Sequence, residues 1–201
     1  YQTALKLAQW QLDAATIAAG FIHDTAEDTD ILLESIKNEF GEEIAFLVDG
    51  VTKIGHLKYR DRNDQQAENI RKMILALSQD IRVIFIKLAD RLHNMKTLSA
   101  IPPQKQKRIA LETAEIYAPL ARRLGMANLA GELEDLAFFY LHHSEYEWLK
   151  KNIKDKYEER EKYLEKVKLI AEKTLKENNI KPIKIDCRAK RYSSLYKKLF
   201  K

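Results

Sequence analysis

Residues 81–98 read IRVIFIKLADRLHNMKTL, and whether they form a strand or a helix decides the fold. The opening run Val83-Ile84-Phe85-Ile86 has the β-branched content of a buried strand. Leu88, Leu92 and Met95 then return at the spacing of a helix face, and that periodicity settles the segment as one apolar helix. Asp90, Asn94 and Thr97 fall on it at i, i+4 and i+7. They make a single polar stripe on an element otherwise composed for burial. A buried carboxylate needs a partner, either a metal or a cationic neighbour. Periodicity alone leaves an ion pair from Asp90 to Arg91 or Lys87 as good an answer as a metal.

Upstream, residues 21–30 read FIHDTAEDTD. They follow the small apolar run Ala14–Ile22, whose composition is helical. If that helix continues, His23 stacks on Glu27 and Asp24 on Asp28, each pair at i,i+4. An imidazole and three carboxylates then crowd one helix end. Close carboxylates repel unless a cation or a proton relieves them. A divalent metal is the economical relief; a solvated acidic turn is the plain alternative.

Between and around these stretches the chain reads as helices. Asp13 is placed to cap the helix carrying His23, and Asp30 to cap Ile31–Phe40, with Gly41 as the residue that ends it. Glu42–Lys53 has an apolar face interrupted at Gly50. Residues 55–64 read as a loop and 65–79 as a helix. Pro102-Pro103 precedes a long helix over 104–124, ending at Gly125, in which Pro119 predicts a kink. Asn128–Tyr140 is helical, and Ser144 with Glu147 has the spacing of a capping box. His142-His143 reads as surface, since adjacent His side chains seldom reach one ion. Residues 150–179 form a Lys/Glu-rich helix with a narrow apolar stripe. After Asn178-Asn179, alternation of Ile183, Ile185 and Cys187 with Lys184, Asp186 and Arg188 predicts a strand, and Ser193–Phe200 a helix.

Composition bounds the rest. The 201 residues include only six Gly and four Pro, which favours long helices over a turn-rich β architecture. A net charge of +5 with interleaved signs does not indicate nucleic-acid binding and suits an anionic small molecule equally well. The single Cys187 excludes an internal disulfide and points to a reducing cytoplasm. No apolar run has the ~18–20 residues of a membrane span, and the chain reads as a piece of a longer protein.

With both motifs placed, the chain resembles the RelA/SpoT family, long bifunctional bacterial enzymes that make and degrade (p)ppGpp. FIHDTAEDT resembles the family's HD and ED signatures, VDGVTKI one of its further segments, and IKLADRLHNMKTL its most characteristic helix. IPPQKQKRIALETAEIYAPLARRLGM and GELEDLAFFYL match the way out of the hydrolase domain, and DCRAKRYSSLYKKL the opening of the synthetase domain. The resemblance implies an all-α HD-domain helical bundle over 1–125, connecting helices over 126–180, and over 181–201 the truncated start of an α/β synthetase domain. It implies a metal, Mn²⁺ in this family, held by His23, Asp24 and Asp90 together with an early His whose expected position falls just before Tyr1. Glu27 and Asp28 carry over as the catalytic pair, Asn94 and Thr97 as substrate contacts, and Arg91 and Lys53 as further substrate-binding residues. Arg188 and Lys190 match basic residues that bind ATP phosphates.

The activity implied is hydrolytic removal of the 3′-pyrophosphate of (p)ppGpp. The competing reading is a catalytically incomplete regulatory module that gates the adjoining synthetase; a generic HD-type phosphohydrolase with another substrate is the third. The implied setting is the cytoplasm, with guanosine tetra- and pentaphosphate as partner, no membrane, no nucleic acid bound directly, and the ribosome as a contact of the full-length protein.

Overall fold

A computed structural model describes residues 1–55, 80–153, 157–187 and 189–200. The loop expected over 55–64, the helix over 65–79 and Arg188 fall wholly or largely outside the described residues. By internal packing the chain divides into Tyr1–Leu133 and Glu134–Lys201.

The first unit is helical throughout its described length. It begins with α1 (Gln2–Gln9), α2 (Ala14–Ile22), the single turn α3 (Thr25–Asp28), α4 (Leu33–Phe40) and α5 (Glu42–Gly55). The decisive segment is α6 (Ile81–Lys96), so helical periodicity overrides β-branched content there. Its apolar side packs on α1, α2 and α5. Leu7, Ala19, Leu47, Val48, Val51, Val83, Ile86 and Ala89 form the shared core. The α5–α6 crossing is close because Gly50 has no side chain: a Cβ there would lie 2.8 Å and 3.2 Å from the two γ-carbons of Val83. Val is stiff at χ1 and cannot swing aside. Gly50→Ala is therefore expected to destabilise the fold by about 1–3 kcal/mol in urea unfolding, despite Ala's better helix propensity. Adding Val83→Ala should recover part of the loss; strictly additive losses would show that this contact is not the cause.

Asp13 caps α2 as its position predicts, accepting from Thr16 N–H at 3.0 Å and from Thr16 Oγ1 at 2.6 Å. Asp80 caps α6 through the Arg82 N–H at 2.8 Å. The Arg82 guanidinium then reaches Asp80, Glu43 at 2.6 Å and Asp13 at 3.4 Å, tying three helix N-termini together. Asp30 does not cap α4; Leu32 holds that position with no side-chain cap. The reason lies one residue earlier, where Thr29 Oγ1 donates to Thr25 O and accepts from Ile31 N–H, so the chain leaves α3 through its own turn. Gly41 and Gly125 end their helices at φ 90° and 79°, conformations that disfavour any Cβ.

The helix expected over 104–124 is three pieces: α7 (Pro103–Glu112), a π-turn over Thr113–Tyr117, and α8 (Ala118–Arg123). Pro119 does perturb it, but the disturbance takes the form of a widened turn before the proline. A proline ring crowds the carbonyl four residues back, and an i→i+5 turn relieves that crowding. The next helix, α9, spans Ala127–Leu141.

The second unit contains α10 (His143–Asn152), α11 (Tyr157–Glu177) and α12 (Tyr192–Leu199). Ser144 does not form the expected capping box. The cap is His142 without a side-chain bond, and Ser144 Oγ donates instead to its neighbour Glu145 at 2.8 Å. His142 and His143 pack on aromatic rings, Phe138 and Tyr196 for the first and Phe139 for the second. The single helix expected over 150–179 is interrupted at Ile153, where α10 ends. Asn179, at φ 58°, closes α11, with Ile180 N–H returning to Leu175 O at 2.9 Å. The strand expected after it is not formed among the described residues, and 180–187 runs as irregular chain. Alternation supplies a pattern, but a strand needs a partner for its backbone groups. Asp135 caps α12 from a distance, accepting from Ser193 N–H at 2.9 Å and Ser193 Oγ at 2.5 Å. Among the described residues no helix is long and apolar enough to cross a membrane.

Candidate metal centre

The chain leaves α2 at His23. Its Nδ1–H donates to the carbonyl of Gly20 at 2.9 Å, one turn back, which leaves the lone pair on Nε2. That nitrogen is buried and has no hydrogen-bond partner of good geometry. It lies 2.9 Å from Asp24 Oδ1 and 3.6 Å from Asp90 Oδ1, close enough for strong charge attraction. His23 is 4% exposed and Asp90 7%, so both charges are held out of water. Asp24 is 62% exposed and forms the open side of the cluster.

Two carboxylates facing an imidazole nitrogen force a choice. Either the nitrogen carries a proton or its lone pair goes to a cation. Burial alone would push the His23 pKa down, but the bonds and charges of Asp24 and Asp90 prevail and raise it to about 9. Burial likewise pushes Asp90 up, and His23, Lys87 and Arg91 outweigh it, leaving Asp90 below its ordinary value. One nitrogen and two carboxylate oxygens, all within 4.8 Å of one another, make a donor set that divalent cations accept. The orphaned Nε2 and this donor set fit a divalent metal.

α6 supplies the far wall. Asn94 Nδ2 donates to Asp90 Oδ1 at 2.9 Å and orients that carboxylate. Lys87 Nζ lies 3.4 Å from Asp90 Oδ2, so the ion-pair reading of Asp90 is also realised, on its other oxygen. Thr97 shares the stripe but turns its Oγ1 onto the carbonyl of its own helix residue His93. Arg91 does not join the cluster. It faces away and binds Glu112.

The helix through the HD–ED motif is broken at His23-Asp24, and α3 restarts it for one turn, in which Asp28 N–H donates to Asp24 O at 2.8 Å. Asp28 is exposed and follows Asp24 by four residues; the side chain of Glu27 lies outside the described residues. Lys53 is 72% exposed and pairs with Asp49 on its own helix. An open cleft runs between α3 and α5, lined by Ala26, Thr29, Ile31, Leu32, Asp49 and Thr52 among others. Two features escaped sequence reading. The carbonyl of Gly20 as tautomer lock carries no side-chain signal, and the Arg91–Glu112 pair joins residues 21 positions apart with no shared periodicity.

The family model described as "HD domain" matches residues 1–127. The chain is 48% identical, over 93% of its length, to a probable guanosine-3′,5′-bis(diphosphate) 3′-pyrophosphohydrolase of Synechocystis, and covers 25% of that protein. It is 49% identical over 97% of its length to the guanosine-3′,5′-bis(diphosphate) 3′-pyrophosphohydrolase of Aquifex aeolicus, covering 28% of it. It is 45% identical over 96% of its length to the bifunctional (p)ppGpp synthase/hydrolase SpoT of Escherichia coli, covering 27% of it. The chain spans about a quarter of the length of these curated relatives.

Proposed function

We propose, from the premise that this chain belongs to the HD-domain family, that it removes the 3′-pyrophosphate of (p)ppGpp by hydrolysis. Water attacks the phosphorus of the 3′ phosphoester, and the bond from that phosphorus to the ribose 3′ oxygen breaks. One proton of the water ends on the freed 3′ oxygen, and GDP or GTP and pyrophosphate are released. The observation that carries the reading is the convergence of His23, Asp24 and Asp90 from two distant segments, with His23 Nε2 buried between the two carboxylates. The substrate class comes from the names borne by the similar proteins.

His23, Asp24 and Asp90 would hold the metal, for which we propose Mn²⁺. A divalent cation there supplies positive charge against the substrate phosphates and acidifies water. The chain's own groups do the rest. Gly20 holds the His23 tautomer, and Asn94 holds the Asp90 carboxylate. Asp28 and Glu27 are proposed to orient the attacking water and take its proton, a role often worth about 10²–10⁴-fold. Asn94, Thr97 and Lys53 are proposed to contact the nucleotide. The residue ranges 1–125, 126–180 and 181–201 keep their proposed assignments as hydrolase, connector and synthetase opening. The cytoplasm is the proposed location, and the ribosome a contact of the longer protein.

The test is pyrophosphate release from ppGpp with Mn²⁺ and with chelator, on this chain and on a version extended upstream through the expected His-Pro. Mn²⁺-dependent release supports the reading. Nucleotide binding without release from either version would replace it with the regulatory one.

A further inference from the structure

Arg91 is a costly residue for its position. On α6 it falls in the row of Ile84, Leu88 and Met95, all apolar and buried. Its side chain is 11% exposed, and its Nε has no hydrogen-bond partner. A leucine would fill such a row without the desolvation cost of a guanidinium. The surroundings are arranged to hold it. Glu112 takes both terminal nitrogens, at 3.0 Å and 3.4 Å, and the Tyr117 ring lies beneath the guanidinium, its centroid 4.0 Å away.

Those two partners are brought together by the π-turn. In an α-helix, residues five apart point about 140° away from each other. Here Ala118 N–H returns to Thr113 O, an i→i+5 bond, and such a turn brings residues five apart close to alignment. Glu112 and Tyr117 thus grip one guanidinium, one as a planar fork and one as a stacked ring.

The neighbour of Arg91 in the chain is Asp90. Both ride on the same rigid helix, so whatever fixes the rotation of α6 at 91 fixes the aim of the carboxylate at 90. The lever is long. A 20° turn about the helix axis moves a side-chain end ~6 Å from that axis by roughly 2 Å. Metal–ligand distances tolerate about 0.2 Å. Apolar packing sets where α6 sits, and the bidentate, stacked guanidinium adds a directional contact at the residue next to Asp90.

We propose that Arg91, clamped by Glu112 and Tyr117, is the positioning residue that sets the rotation of α6 and so aims Asp90 at His23. The proposal rests on the metal reading of that cluster, and replaces direct substrate contact as the work of Arg91.

The experiment is Mn²⁺ titration by electron paramagnetic resonance of the chain extended upstream through the expected His-Pro, with thermal unfolding of the metal-free protein alongside. Arg91→Lys and Glu112→Gln are each expected to weaken Mn²⁺ binding by about 10-fold or more. The pair Arg91→Met with Glu112→Leu separates positioning from stability: it should recover thermal stability relative to either single change while Mn²⁺ affinity stays low. Affinity within twofold of the original in Arg91→Lys and Glu112→Gln, with only the unfolding midpoint lowered, overturns the proposal and leaves the metal reading intact. Recovery of full affinity by the apolar pair does the same. An extended original that binds neither Mn²⁺ nor Co²⁺ removes the metal reading and this proposal together.

Discussion

Asp90→Asn is expected to abolish Mn²⁺ binding and to lower pyrophosphate release from ppGpp by at least about 10³-fold, roughly 4 kcal/mol of transition-state stabilisation. The substitution keeps the shape of the side chain and its bond from Asn94, so the loss reads charge rather than packing. Asp90 is the one ligand that comes from α6, and its carboxylate is buried. Asn94→Ala removes only the bond that orients Asp90 and is expected to weaken Mn²⁺ by about 10–100-fold. The two variants should therefore form a graded series. An Asp90→Asn protein that hydrolyses ppGpp at the original rate would take Asp90 out of the site.

The metal-free chain should lose stability on the alkaline side, by about 3 kcal/mol between pH 6.5 and 9.5. His23 has its folded-state pKa raised from 6.5 to about 9, chiefly by Asp24 and Asp90 acting against the penalty of burial. A raised pKa means the folded state binds the proton more tightly. Its contribution is complete below the unfolded value and is lost as pH rises through the folded one. For a chain of this size that is roughly 6–12 °C in the unfolding midpoint. Asp90 has the opposite sign: its depressed pKa contributes above the unfolded carboxylate value and is lost as pH falls through the folded one. Stability in chelator should thus be greatest between about pH 4 and 6.5. Saturating Mn²⁺ should remove the alkaline decline, because the lone pair of Nε2 then serves the cation instead of a proton, and binding adds about 2.7 kcal/mol at a hundred times Kd. His23→Gln in chelator should flatten the same limb. A decline that persists unchanged in His23→Gln would assign it to other groups.

Much of this was legible before any coordinates. The polar stripe of Asp90 and Asn94 on an apolar helix is visible as spacing, and the structure places Asp90 inward with Asn94 bonded to it. The cap at Asp13 is local and follows from side-chain chemistry alone. The expectations that failed share a cause. Asp30 and Ser144 have the composition of caps, but nearby side chains take up the turn geometry first. The strand over 180–187 has its alternation and lacks a partner among the described residues. Local pattern states what a segment can do, and its neighbours decide which option is realised.

The sequence by itself determined that the chain is helical, that its histidine and its distant aspartate sit on apolar segments, and which residue types are available to bind a cation. Each of those follows from periodicity and composition within some twenty residues. Only tertiary structure decided that α2 and α6 bring His23 and Asp90 within 3.6 Å, that Gly20 turns the imidazole's lone pair toward them, and that Arg91 serves Glu112 and Tyr117 instead of the cluster. The physical reason is burial. A charge removed from water must find its partner in whatever element the packing brings alongside, and that element is chosen by the whole core rather than by the segment that carries the charge.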